Sequence, residues 1–199
     1  MKHIFLIGDS IRHGIGTPGD GPTYGYGYHM QKKLEGRAKV YSPDDNSRFV
    51  HYTLRYLHDW AKAMDAGEDV DIVHWNNGLW DILHIMGDEE TFTPLDQYGE
   101  TLLRIEKRIR QLFPRAKVYF SLTTPAIEEQ YTPDFRRYNK DIEAFNQKAI
   151  EVLTPCGVEI IDLYSKAKTL QPTYSRDWVH YTPEGASILA DYIISQLDL

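Results

Sequence analysis

Short, unbroken runs of apolar and β-branched residues recur along this chain, separated by longer stretches whose apolar residues lie three or four apart. Ile4-Phe5-Leu6-Ile7 is the first such run. A run without polar alternation suits a strand covered on both faces, as in a parallel sheet held between helices. Comparable runs lie at 38–42, 71–75, 117–122 and 158–163. Between them, residues 50–64 carry Leu54, Leu57 and Trp60, and residues 98–113 carry Leu102, Ile105, Ile109 and Leu112, spacings that predict amphipathic helices. The second of these stops at Pro114, and Arg108 and Arg110 near its end suit the helix dipole. Another helix is predicted over 137–153, ending at Pro155. A last one opens at Thr182-Pro183-Glu184, with Thr182 as N-cap and Pro183 in the first helical position. Strand–helix alternation of this kind predicts an α/β fold, a three-layer α/β/α sandwich with about five parallel strands and right-handed crossovers.

The 199 residues are enough for one domain, expected to span 1–199 without linker or repeat. A net charge of -7 argues against a protein that coats nucleic acid or an anionic membrane. Cys156 is the only cysteine, so no internal disulfide or cysteine-based zinc cluster is expected, which fits a reducing compartment. No apolar run approaches the ~20 residues of a membrane span. Met1 to Ser10 lacks the apolar stretch and cleavage site of a signal peptide, so a cytosolic location is expected. Residues 14–27, rich in Gly, Pro and Tyr, read as a long loop.

In parallel α/β sheets, ligands bind beyond the carboxyl ends of the strands. Gly8-Asp9-Ser10 follows the first strand, where a serine hydroxyl and its own backbone N–H can face one cleft. Asp177-Trp178-Val179-His180 directly precedes the last helix. A serine nucleophile needs a base, and an imidazole base needs an acceptor on its second nitrogen to fix tautomer and orientation. Taken singly, these fragments read as a helix cap and a surface histidine. Placed together at the predicted active edge, they point to nucleophilic catalysis.

Gly8-Asp9-Ser10 after the first strand and Asp177-x-x-His180 before the last helix resemble the SGNH hydrolases, also called GDSL-type esterases and lipases, over nearly the whole chain. The resemblance implies a flavodoxin-like fold and hydrolysis of carboxylic esters, often acyl groups on sugars, lipids or small alcohols, with no metal or other cofactor. It implies Ser10 as nucleophile, His180 as general base and acid, and Asp177 as its orienting partner. The family's two remaining blocks, which build its oxyanion hole, are altered here. After the second strand, Ser47 stands where a glycine is usual; Asn46 and Ser47 could equally cap the helix over 50–64. The G-x-N-D block reads Gly78-Leu79-Trp80-Asp81, with Trp80 in place of asparagine. Asn76, at the end of the third strand, is the favoured amide donor, ahead of Asn77 and the Trp80 indole. Both asparagines could also simply build the turn before Gly78. The expected oxyanion hole is therefore the backbone N–H groups of Ser10 and Ser47 with the Asn76 amide.

Other residues are less specific. His13, His51, His74 and His84 lack metal-ligand spacing. Trp75, Trp80, Trp178 and the Tyr24, Tyr26 and Tyr28 group could stack on a sugar or acyl chain, or serve as packing. Arg12 could meet an anionic substrate or pair with a carboxylate, and Asp9 reads as a turn organiser. The expected activity is a serine ester hydrolase working through an acyl-enzyme. Polar, aromatic loops favour deacylation or deacetylation of a carbohydrate or other small polar ester. The alternatives are an acyltransferase or thioesterase using the same residues, a catalytically weakened carbohydrate-binding relative, and an FMN binder with the same layering. No nucleic-acid or membrane partner is expected, and the oligomeric state is not legible.

Overall fold

The computed structural model describes residues 1–14 and 24–199, so most of the loop expected over 14–27 lies outside the described residues. In chain order the elements are β1 (Lys2–Ile7), α1 (Ser10–His13), α2 (Tyr26–Lys33), β2 (Ala38–Tyr41), α3 (Val50–Ala63), β3 (Ile72–Trp75), β4 (His84–Ile85), α4 (Leu95–Leu112), β5 (Lys117–Ser121), β6 (Phe135–Arg136), α5 (Asn139–Leu153), β7 (Glu159–Ile161), α6 (Leu163–Lys168) and α7 (Pro183–Gln196).

Five parallel strands form the sheet in the order β2-β1-β3-β5-β7. Ile4 to Ile7 are wholly buried, as an unalternating run predicts for a central strand. β1 pairs with β2 on one side, Ile4 opposite Val40, and with β3 on the other, Ile7 opposite Trp75. On the helical layers, α2 packs on α7 and α7 on α6, while α3 packs on α4 and α4 on α5. This is the expected three-layer α/β/α sandwich. The strand order reverses direction at β1 and β3, and the crevice beyond the carboxyl ends at such a point is where ligands bind in open parallel sheets.

Three details depart from the sequence reading. Tyr26 and Gly27 open α2 rather than closing a loop, because Tyr26 and Met30 bury one face of that helix. The helix expected from residue 137 starts at Asn139, because Phe135–Arg136 pairs antiparallel with His84–Ile85 in a small separate sheet. α6 was not anticipated; Asp162 caps it by accepting from the Ser165 N–H. Among the described residues, no helix is long and apolar enough to cross a membrane.

Candidate active site

β1 ends at Ile7, and Gly8 carries the chain across its carboxyl edge. A Cβ at Gly8 would lie 2.2 Å from Asn76 Oδ1 and 2.6 Å from the Arg12 Cβ, so only glycine lets these side chains close over the backbone. Asp9 is the N-cap of α1: its Oδ1 accepts from the Ile11 N–H at 3.0 Å. Burial raises the Asp9 pKa, opposed by the Ile11 N–H, the Asn76 side chain and the charges of His180 and Arg137. Ser10 is thereby the first residue of a helical turn, and its N–H has no acceptor among the described residues.

The distant partner arrives from the loop before α7. Arg176 N–H donates to the His180 carbonyl at 2.9 Å and Thr182 N–H to the Tyr174 carbonyl at 2.8 Å, which folds the segment back on itself. Thr182 then caps α7 by accepting from the Gly185 N–H, as expected. Within this turn, Asp177 Oδ1 accepts from the Val179 and His180 N–H groups at 2.9 and 2.8 Å. Its Oδ2 lies 2.7 Å from His180 Nδ1, and His180 Nε2 lies 2.8 Å from Ser10 Oγ. Burial works to raise the Asp177 pKa, but the hydrogen bond and charge of His180 and the two backbone N–H groups hold the carboxyl well below its usual range. An ionised Asp177 fixes the proton on Nδ1, leaving Nε2 to accept from the serine hydroxyl. The three residues expected to act together are thus brought together across 170 positions of sequence.

The region of the expected oxyanion hole differs in part. Ser47 and Gly8 exchange two hydrogen bonds: Gly8 N–H donates to Ser47 Oγ and Ser47 N–H donates to the Gly8 carbonyl, both at 3.0 Å. The expectation of Ser47 as an oxyanion donor is therefore corrected, because its N–H is committed to the backbone and Ser47 instead fastens the β2–α3 loop to the end of β1. The left-handed conformation that a glycine would favour belongs to the next residue, Arg48, with φ of 46°. Arg48 is held from both sides, its N–H donating to Asn46 Oδ1 and its carbonyl accepting from Asn77 Nδ2, each at 2.9 Å.

Asn77 is wholly buried, and its Oδ1 also accepts from the Thr53 hydroxyl at 2.9 Å and the Trp75 indole at 2.7 Å, which ties its side chain to α3 and the end of β3. Asn76 is buried over Gly8, its Oδ1 accepting from the Tyr26 hydroxyl. Gly78, at φ 147°, packs where a Cβ would strike Thr123. Asp81 accepts from the Val50 N–H and the Thr93 hydroxyl, and so caps α3 from a distance. Burial raises its pKa to about 7, against those hydrogen bonds.

Arg12 does neither of the things its sequence position suggests. Wholly buried, it donates to the carbonyls of Gly8, Pro43 and Asp45 and to Ser42 Oγ, tying the exits of β1 and β2 together. Trp75 is core, packed edge-on against Phe120. Tyr24 and Tyr28 stack on each other, whereas half-buried Trp80 lines the cleft. The histidines are dispersed: His13 meets Asp44, His84 meets Asp141, His51 meets Thr101 and buried His74 meets Ser121. No group of three or more potential ligands among the described residues could hold a metal.

A cleft of about 540 Å³ opens over Ser10 and His180, with Arg48, Phe49, Trp80 and Arg137 among its walls. Arg48 and Arg137 escaped the sequence reading. No sequence pattern marked Arg48, whose positive φ only the fold shows. Nothing local marked Arg137, which reaches the cleft only because the β4–β6 pair carries it there.

The family model described as the GDSL-like lipase/acylhydrolase family matches residues 6–188. No curated protein matches the chain in sequence. Among solved structures, the acetyl xylan esterase AlAXEase superposes with a TM-score of 0.73 at 17% identity, covering 98% of this chain and 99% of that one. A lipase/acylhydrolase from Enterococcus faecalis gives 0.72 at 20% identity, covering 98% and 95%. An acetylxylan esterase from Geobacillus stearothermophilus gives 0.70 at 16% identity, covering 100% and 94%. At these identities the likeness is one of fold.

Proposed function

The chain belongs to the GDSL-like lipase/acylhydrolase family and is a carboxylic ester hydrolase, and from that premise we propose that it removes short acyl groups from small polar or carbohydrate esters through an acyl-enzyme on Ser10. One observation carries this reading: the chain of contacts from Ser10 Oγ through His180 to Asp177, at 2.8 and 2.7 Å. Ser10 Oγ attacks the ester carbonyl while His180 Nε2 takes its proton, and Asp177 stabilises the imidazolium. His180 returns that proton to the departing alcohol. It then deprotonates the water that attacks the acyl-serine, and the acid leaves with Ser10 restored.

The oxyanion is received by the Ser10 N–H and the Asn76 amide. Each such donor typically contributes about 2.7–4 kcal/mol to the transition state. Trp80 lines the same cleft, and its indole N–H, which has no acceptor among the described residues, is a further candidate donor. A chamber of about 20 Å³ at the Ser10–His180 pair, lined also by Ile11, Tyr24, Gly25, Arg176, Tyr181 and Ala186, supports a short acyl group, since that volume accommodates about one water-sized group. Two of the structural neighbours are named as acetylxylan esterases, which agrees with acetyl as the acyl group and a sugar as the alcohol.

The test is release of p-nitrophenol from acetate, butyrate and octanoate esters by the wild type and Ser10→Ala. Ser10-dependent turnover that falls steeply with chain length is expected. A folded protein with no Ser10-dependent release removes the proposal.

A further inference from the structure

The cleft over Ser10 contains two arginines, Arg48 and Arg137, and neither forms an ion pair with a described carboxylate. Arg137 is 7% exposed. Its Nε donates to the Leu79 carbonyl, and its guanidinium carbon lies 4.9 Å from the Trp178 ring centroid. Its Nη groups have no acceptor among the described residues, although the side chain lines the cleft. A guanidinium that is desolvated and only partly hydrogen-bonded is costly unless something supplies the missing acceptors. The carboxylates that act on it electrostatically are Asp9, whose Oδ1 accepts from the Ile11 N–H while its buried Oδ2 has no hydrogen-bond partner among the described residues, and Asp177, which is bonded to His180; neither is within ion-pair distance of Arg137.

Arg48 is prepared in a comparable way. Its backbone sits at φ 46°, an uncommon conformation for a side chain-bearing residue, and is clamped there by Asn46 and Asn77. Its guanidinium carbon lies 4.6 Å from the Tyr52 ring centroid. Stacking on an aromatic face leaves the edge N–H groups of a guanidinium free, and that planar fork matches a carboxylate. Of the acidic residues on the same cleft, Asp45 accepts from the Tyr52 hydroxyl and the Trp60 indole, and Asp44 is fully exposed with one oxygen 3.2 Å from His13 Nε2; neither is within ion-pair distance of Arg48 or Arg137.

We propose that Arg48 and Arg137 form an anion-recognition subsite, so that the preferred ester carries a carboxylate elsewhere in the molecule while Ser10 takes its acyl group. This rests on the ester-hydrolase reading above. It narrows the alcohol to one bearing an acid, such as an acylated hydroxy acid or acidic sugar.

Three acetates with meta-substituted phenol leaving groups test it: 3-acetoxybenzoate, phenyl acetate and 3-acetoxyphenyl-trimethylammonium. The wild type is expected to favour the anion over the neutral ester by roughly tenfold or more in kcat/KM, with the cation below both. That preference should shrink with added salt. In Arg137→Gln and Arg48→Gln the anion-to-neutral ratio should fall towards one; should Arg137→Gln not fold, Arg48→Gln and the wild-type series decide. Equal kcat/KM for all three esters, or a preference that survives in both variants, overturns the subsite while leaving the esterase intact. Absence of Ser10-dependent hydrolysis of all three removes the esterase reading and the subsite together.

Discussion

Tyr26 donates its phenolic hydrogen to the side-chain oxygen of Asn76. Both residues are buried, and Gly8 is the gap that lets them meet over the end of β1. Burial, with the charge of Asp9, raises the Tyr26 pKa well above its ordinary value, so the hydroxyl remains a donor at any working pH. On the proposed mechanism, the held oxygen leaves the Asn76 amide as the oxyanion donor, polarised by the bond behind it. Asn76→Ala is expected to lower kcat by about 10²–10³-fold, and Tyr26→Phe by roughly tenfold with KM little changed. In the Asn76→Ala background, Tyr26→Phe should cost nothing further. Steady-state kinetics of the four proteins give the coupling, and additive losses would show that Tyr26 acts on packing alone.

Asn77 predicts a loss of stability. Replacing it with alanine leaves the Trp75 indole N–H and the Arg48 carbonyl without the partner they now share, while the Thr53 hydroxyl keeps the Ser47 carbonyl as acceptor. Unsatisfied buried groups cost about 1–3 kcal/mol each and do not add fully, so Asn77→Ala should destabilise the protein by on the order of 3 kcal/mol. Urea unfolding measures this. A change below about 1 kcal/mol would mean that the backbone relaxes to recover these bonds.

His74 and Asp81 predict opposing pH dependences of stability. Burial, with the charge of Arg12, lowers the His74 pKa from 6.5 to about 3; its stabilising contribution is present above pH 6.5 and lost as pH falls. Burial raises the Asp81 pKa from 3.8 to about 7; its contribution is present below pH 3.8 and lost as pH rises through 7. Between roughly pH 4 and 6.5 the unfolded chain gains one proton at His74 and loses one at Asp81, so the two slopes cancel. Relative to wild type, Asp81→Asn should therefore gain stability as pH rises across this window, and His74→Gln should lose it. Urea midpoints at several pH values test the pair; parallel curves for wild type and both variants would refute the assignment.

Asp177 governs the tautomer of His180. Asp177→Asn is expected to reduce kcat by roughly 10³–10⁴-fold, because an amide can hold the imidazole with its proton on the wrong nitrogen. The Asp177 carboxyl is held well below the usual range, so it should contribute no step of its own to the pH profile of kcat/KM above that range. An acidic step near the ordinary carboxylate range that disappears in Asp177→Asn would contradict this assignment.

Where sequence and structure agree, the signal is local. The run Ile4–Ile7 is apolar at every position and rich in β-branched and aromatic residues, which suits a twice-covered strand. Thr182-Pro183 starts a helix because a hydroxyl cap and a fixed φ act within one turn. Asp177 binds N–H groups two and three residues on, which any Asp-x-x-His turn can attempt. Where they part, a distant group intervenes. Ser47 loses its expected role to Gly8, 39 residues away, and Arg12 is claimed by carbonyls 31 and 33 residues on.

The layered fold, and the serine, histidine and aspartate to which we assign catalysis, are marked in the amino-acid pattern, because short-range sterics and hydrogen bonding read such patterns directly. Only the tertiary structure decided which N–H groups are spent on the backbone and which face the cleft, and which arginines stand without a counter-ion. Those outcomes depend on competition among donors and acceptors that the chain brings together from afar, where one buried partner gained is another denied.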